Sequence, residues 1–421
     1  MVQRTQHLTI RGARCSFGPE DAKHASVEIT GDRITQIHSL PPVHGAIVAD
    51  SSDIDLSGFL LLPGLINAHD HLHFALFPRM GNPPYLNYVE WGNDIHRGFS
   101  ELIARHRSVP KDVRLWWGGI RNLLCGVTTV CHHDPCWPTL QSPDFPVRVV
   151  QDYGWGHSPA LGGDLRKARS ATPDGCAFIV HACEGIDELA REELHKLEQL
   201  GLLDGNTVVV HGLAIDHEGV LLMRQRGASL IVCPSSNHFL FRTLPDIPLL
   251  RKIEKIALGS DSPLTAEGDF LDELRFAMQY AGISPSTAYH MATTIPAAIL
   301  RLRNAEGSIE EAGRCDLIAV RDTGQGPAGR LETLSANDIE FVMIGGRIQL
   351  ASETTLRRLP SSTRHGLEPL AIDGMIRWLR APVKMLVQKA EEALGEGRVR
   401  LGNRRVQILA DIEAAHACCG A

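Results

Sequence analysis

The chain opens with short alternations of apolar and polar residues. ASVEITGDRITQIHS (25–39) reads as two β-rich runs around Gly31-Asp32, a hairpin signal, and IDLSGFLLLPG follows at 54–64. The same texture returns late, in CDLIAV (Cys315–Val320) and in FVMIGGRIQLA, which turns at Gly345-Gly346. Residues 1–62 and 302–356 therefore predict one small composite β-sandwich built from both ends of the chain. Between them the pattern changes. Strand-like runs at Val127–Cys131, Val147–Asp152, Ala177–His181, Thr207–His211, Leu230–Cys233 and Ile256–Gly259 are separated by helical segments such as Asp187–Leu200 and Phe270–Tyr280. Alternation of this kind predicts an α/β fold with a parallel sheet, and the length of residues 63–301 suits a (β/α)8 TIM-type barrel. The interval from Val147 to His181 is tight for two β/α units, so one strand there is expected to be abbreviated. Residues 357–421 read as a helical C-terminal extension, with a helix over Met375–Leu394 and a loose tail.

Composition narrows the class. Of 421 residues 43% are hydrophobic, enough for a large core, and the net charge of −7 is spread along the chain. That balance argues against nucleic-acid and membrane partners; a small-molecule substrate belongs with the enzyme reading below, and a homo-oligomer is possible. The basic groups at Arg357-Arg358 and between Arg398 and Arg405 read as solvated surface. The ten cysteines show no repeated C-x-x-C spacing, Cys418-Cys419 included, which argues for a reducing compartment. With no apolar signal core at the N-terminus and no run of 18 apolar residues, the expected location is cytoplasmic.

The chemistry is concentrated in LLPGLINAHDHLHF (61–74). His69, His71 and His73 recur at alternate positions, and alternate side chains of a strand share a face. His69 and His71 can thus converge on one metal ion. Barrel enzymes carry reactive groups at the C-terminal ends of strands, and three further polar clusters sit at such ends. His181 closes AFIVHACEG with Glu184 three residues on, His211 closes TVVVHG, and Asp261 closes IALGSDS. Imidazoles and a carboxylate on separate strands can surround one divalent ion that activates water. Glu184 suits the general acid–base step, Asp261 can accept a proton from the attacking water, and His211 can orient that water or polarise the substrate.

In their order along the chain these residues carry a resemblance. PGLINAHDH, GVTTV (126–130), HACE (181–184), HG (211–212), CPSSN (233–237), GSD (259–261), PAAIL (296–300) and GSIEEAGRCDLIAV (307–320) resemble the metal-dependent amidohydrolase superfamily. The likeness is greatest to its branch of cytosine-, guanine- and adenosylhomocysteine-type deaminases and triazine hydrolases, and it covers about residues 7–350. It implies one divalent metal, zinc ahead of iron, held by His69, His71, His181 and Asp261, with Glu184 as proton shuttle and His211 beside the water or substrate. Two features depart from the family pattern. One strand before the His-x-x-Glu is shortened. The loop HFALFPRMGNPPYLNYVEWGNDIH keeps Arg79, Gly81, Glu90 and Trp91 of the deaminase pattern but is otherwise rewritten. Arg79 and Trp91 are the expected substrate-binding residues of that loop, with His211. His73, His132, His133, His157 and His238 read as structural or pocket-lining.

The resulting expectation is an aminohydrolase acting on a small nitrogen heterocycle. The alternatives are an amide, cyclic amide or small peptide hydrolase with the same metal-activated water, and, remotely, a non-catalytic metal-binding protein. The lysines, in loops or helices, disfavour a carboxylated-lysine binuclear centre.

Overall fold

The histidine-bearing run is β1, Leu65–Asp70, and every residue of it is buried. It belongs to a computed structural model that describes residues 7–39 and 53–408. Seven more parallel segments follow: β2 Val127–His132, β3 Arg148–Val149, β4 Tyr153–Gly156, β5 Ala177–Ala182, β6 Thr207–His211, β7 Ser229–Val232 and β8 Ile256–Leu258. β1-β2-β3 form one parallel sheet and β4 to β8 another, each in chain order. A parallel bridge between Asp70 and Asp261 joins the outer strands β1 and β8. The shortened region lies at β3 and β4, which come from one stretch interrupted only at 150–152. Its first part pairs with β2 and its second with β5, and no helix separates them.

Alternation along these strands sorts the core in two. Ile66, Ala68, Cys131, Ile179, Val208, Val210, Ile231 and Ala257 pack together as one buried cluster. Their sequence neighbours Leu65, Val130, Val180, Val209, Leu230 and Leu258 pack instead in the large cluster that includes helix residues such as Trp117, Leu194 and Leu274. The period of two thus assigns one face to a central floor and the other to the covering helices.

The two ends of the chain meet in a 13-stranded mixed sheet. Strand Phe59–Pro63 lies between Leu317–Arg321, antiparallel to it, and Arg14–Ser16, parallel to it. The C-terminal region differs from the helix expected over Met375–Leu394. Met375–Leu379 is a strand, antiparallel to Glu368–Ile372 and joined to the sheet through Leu350 and Leu379. Asp373 (φ 49°) and Gly374 (φ 83°) form its turn, a left-handed pair suited to a tight hairpin. The helix begins only at Val383, after Pro382. The extension is therefore mixed rather than helical: the Asp-Gly turn sets a hairpin inside the run read as helix. The tail and Cys418-Cys419 lie outside the described residues. No described helix is long and apolar enough to cross a membrane.

One buried ion pair ties the parallel strands to the mixed sheet. Arg148 in β3 donates through both terminal nitrogens to Asp316, one bond measuring 3.0 Å, and to Thr129 Oγ1 at 3.2 Å. Asp316 also accepts from Gly345 N at 2.8 Å and is buried. Arg148→Met would leave that carboxylate without its cation, so urea unfolding should show a loss of about 3 kcal/mol. An unchanged midpoint would exclude this role.

Glu273, in the helix Phe270–Tyr280, accepts from Ser235 N at 3.0 Å and from the Ser235 hydroxyl. Burial pushes its carboxyl up to about 7, against the opposing effect of the Ser235 bonds. A folded-state pKa above the unfolded one means stability is fully present below about 4.5 and is lost as pH rises through about 7. Glu273→Gln should accordingly gain on the natural protein by up to about 3 kcal/mol between pH 5 and pH 8. Parallel stability curves for the two proteins would contradict it.

Candidate active site

The site is assembled from strand ends. His69 lies within β1 and is fully buried, and His71 follows it, where the chain turns into the 3-10 helix Leu72–Phe74. His181 lies in β5, His211 ends β6, and Asp261 follows β8. Cys183 (φ 58°), His211 (φ 74°) and Asp261 (φ 51°) all adopt left-handed backbone, uncommon for residues other than glycine. Such conformations aim side chains where a regular strand would not and persist only when surrounding contacts hold them. Gly259 provides the remaining space, since a Cβ there would stand 2.6 Å from His69 Cβ.

These side chains converge. His181 Nε2 is 3.2 Å from His69 Nε2. Asp261 Oδ1 is 3.8 Å from His69 Nε2 and 3.7 Å from His71 Nε2. His69, His71 and Asp261 form one group whose donor atoms lie within 4.8 Å of one another, and His69, His181 and His211 form a second. The outer atoms explain the aim. His181 Nδ1 donates to the His157 carbonyl at 2.9 Å, which leaves the Nε2 lone pair turned toward His69. His71 Nδ1 donates to Asp134 Oδ2 at 3.2 Å, the carboxylate–histidine arrangement that orients metal-binding imidazoles. Asp261 Oδ2 accepts from Ser236 Oγ at 2.7 Å and Thr265 Oγ1 at 2.9 Å, so Oδ1 faces the histidines. Neutral imidazole nitrogens beside one carboxylate oxygen make a donor set that fits zinc or ferrous iron.

The electrostatics agree with this arrangement. Burial, reinforced by neighbouring imidazoles, holds His69 and His181 well below the ordinary histidine range, so both are neutral. Burial also lowers His211, to about 4. For His71 burial acts in the same sense, but the Asp134 hydrogen bond and charge overcome it and raise the pKa. Burial pushes Glu184 well above the usual carboxylate range, with the charges of Asp261 and Glu193 adding to the effect. Its Oε2 is 3.5 Å from His211 Nε2.

Above this floor is a pocket of about 220 Å³. His71, His181, Glu184, His211 and Asp261 line its base, and Trp91 lines its wall. His69 sits beneath, fully buried. Arg79 does not reach the pocket. Its guanidinium lies over the Phe239 ring at 4.9 Å, donates to the Ala266 carbonyl at 3.3 Å and faces Glu267 at 3.8 Å, so it braces the loop from outside. Tyr85 likewise uses its hydroxyl on Asp94 at 2.5 Å. Sequence reasoning passed over Asp134, Ser236 and Asn237, whose Nδ2 lies 3.4 Å from His211 Nδ1. Ser236 and Asn237 stood within CPSSN, and Asp134 directly after His132-His133, but their partners lie on other strands.

Comparison with known proteins gives the same assignment. Residues 171–349 match the amidohydrolase family. A 5-methylthioadenosine/S-adenosylhomocysteine deaminase of Haloquadratum walsbyi is 31% identical over 353 residues, 69% of this chain and 78% of that protein. An imidazolonepropionase of Klebsiella pneumoniae is 27% identical over 334 residues, 63% of this chain and 80% of that protein. Among solved structures, an atrazine chlorohydrolase from Arthrobacter aurescens TC1 complexed with zinc superposes with a TM-score of 0.68 at 15% identity, covering 92% of this chain and 99% of that one. An adenosine deaminase from Xanthomonas campestris with bound zinc gives 0.65 at 17% identity, covering 92% and 97%. At such identities the superpositions speak for the fold alone. The deaminase relative, shared over most of both chains, and the ordered strand-end residues together establish that this chain is an enzyme of the amidohydrolase family.

Proposed function

We propose that this enzyme hydrolytically deaminates a small nitrogen heterocycle, with His69, His71, His181 and Asp261 holding one divalent metal, zinc ahead of iron. The observation that carries the reading is the convergent donor set with the buried Glu184 carboxyl beside it, 3.5 Å from His211 Nε2. The parallel strands are read as a TIM-type barrel over residues 63–301, supported by a composite unit of 1–62 and 302–356. The described cysteines are all free, which supports a cytoplasmic location.

A divalent cation held by these four residues would supply a Lewis acid and would lower the pKa of a water toward about 7. Asp261, held at Oδ2 by two hydroxyls, takes the first proton of the attacking water. Glu184, at the pocket base, gives its proton to the ring nitrogen, takes the proton left on the incoming hydroxyl and passes it to the departing amine, because an amine leaves poorly as an anion; the proton held by Asp261 then restores Glu184. His211 is neutral, and its Nε2 stands beside Glu184 Oε2, where it orients water or substrate. The ring carbon exchanges its amino group for oxygen, and ammonia departs. Trp91 contributes a flat wall against the ring, whereas Arg79 acts only through the loop. Hydrolysis of an amide or cyclic amide remains the second reading, since the same groups serve it. Among the described residues no lysine lines the pocket, which favours a single-metal site.

Glu184→Gln keeps the shape and removes the transferable proton. Turnover should fall by about 10²-fold or more while metal content, measured by elemental analysis, stays near one per chain. Near-natural turnover with chemistry rate-limiting would refute the assigned role. Exhaustive chelation should abolish ammonia release, and zinc or ferrous iron should restore it. Full activity after chelation would overturn the mechanism, and two metals per chain would favour the amide-hydrolase reading.

A further inference from the structure

The pocket wall has a chemistry of its own. Phe77, Met80, Ile95, Ile103 and Leu264 form one buried cluster, with Phe74 and Trp91 packed against it. All seven line the pocket. The helix Tyr88–Gly98 and the helix Ser100–Arg107 supply part of this wall, so it is framed by secondary structure. Three polar handles among the lining residues, including that of Trp91 in the wall, are engaged inside the protein. Tyr88 donates its hydroxyl to Glu193 at 2.5 Å, Trp91 Nε1 donates to the Met80 carbonyl at 3.0 Å, and Thr265 donates to Asp261 at 2.9 Å. Leu161 continues the apolar surface to the mouth, where it is 49% exposed. His96 and Arg107 lie at the exposed rim.

Volume adds a limit. At about 220 Å³ the pocket lies below the roughly 300–1,000 Å³ of common ligand sites and above the roughly 150 Å³ that accepts benzene. One mono- or bicyclic heterocycle with a short substituent fills it. A sugar placed against this wall would lose its water and meet side chains whose donors are already committed.

We propose that the substrate is a single nitrogen heterocycle bearing a short alkyl or aryl group, with that group against the Phe77–Ile103–Leu264 wall, and that ribosylated or polyhydroxylated analogues are rejected. This rests on the deaminase reading of the same pocket floor, but the wall can be tested separately from the chemistry.

The test uses the zinc-loaded enzyme and a series in which only one substituent changes: 9-propyladenine, its 2,3-dihydroxypropyl analogue and adenosine. Ammonia release gives kcat/KM, and the ligand-induced rise in Tm gives binding without turnover. The propyl compound should bind, and be turned over, about 10- to 100-fold better than either hydroxylated compound. Leu264→Asn should narrow that preference, and so should Leu161→Asn, whose exposed position leaves folding intact. Equal or better binding of adenosine overturns the proposal, as does failure of all three to bind or an unchanged preference in both variants. Selective binding of the propyl compound without ammonia release would uphold the wall and overturn the deaminase reading.

Discussion

The contact on which the site depends is the tie between the histidine strand and the turn that carries Asp261. Asp70, at the end of β1, is buried and accepts from Arg121 at 3.1 Å, Asn122 at 2.9 Å, Asn67 at 3.1 Å and Ser260 at 3.1 Å. Burial raises its pKa against the opposing pull of Arg121 and these hydrogen bonds. A buried carboxylate is tolerated only when paired and hydrogen-bonded, so this network allows little latitude in how the two strand ends meet. Asn67 Oδ1 accepts from Ser260 N at 3.0 Å, Asp261 N donates to the His69 carbonyl at 3.1 Å, and His71 N donates to the Asp261 carbonyl at 3.2 Å. Together these bonds bring the first and last donors of the site, nearly two hundred residues apart in sequence, to within 4 Å.

Around that tie the pocket divides into a polar floor and an apolar wall, and the division has an electrostatic consequence. Charges and dipoles act more strongly where water is excluded. The wall of Phe74, Phe77, Met80, Trp91 and Leu264 stands over a floor where burial lowers His181 and His211 and raises Glu184. The same exclusion of water that shifts Glu184 sets the apolar character of the wall.

Much of this was legible along the chain. His69, His71, His181, Glu184, His211 and Asp261 stood at the ends of apolar runs, and strands place such residues at the mouth of a parallel sheet. The tight interval after Val147 also signalled the shortened region, where β3 and β4 are drawn from one stretch. Two readings did not carry over. Met375–Leu379 is a strand because an Asp-Gly turn and the free edge of a sheet outweigh local helical composition. Arg79 looked like a substrate anchor by its place in the loop, but the loop turns its guanidinium to Phe239 and Ala266.

The sequence by itself determined which polar residues stand at strand ends, the alternation of strands with helices and the family, because periodicity and ordered motifs are properties of neighbours in the chain. Only the tertiary structure decided which atom of each residue faces the site. Asp134 holding His71, Ser236 and Thr265 holding Asp261, and the His157 carbonyl holding His181 are contacts between separate strands and loops. The engaged hydroxyls and the apolar wall of the pocket belong to the same class. Such contacts arise from packing across the sheet, and spacing along the chain does not encode a direction in space.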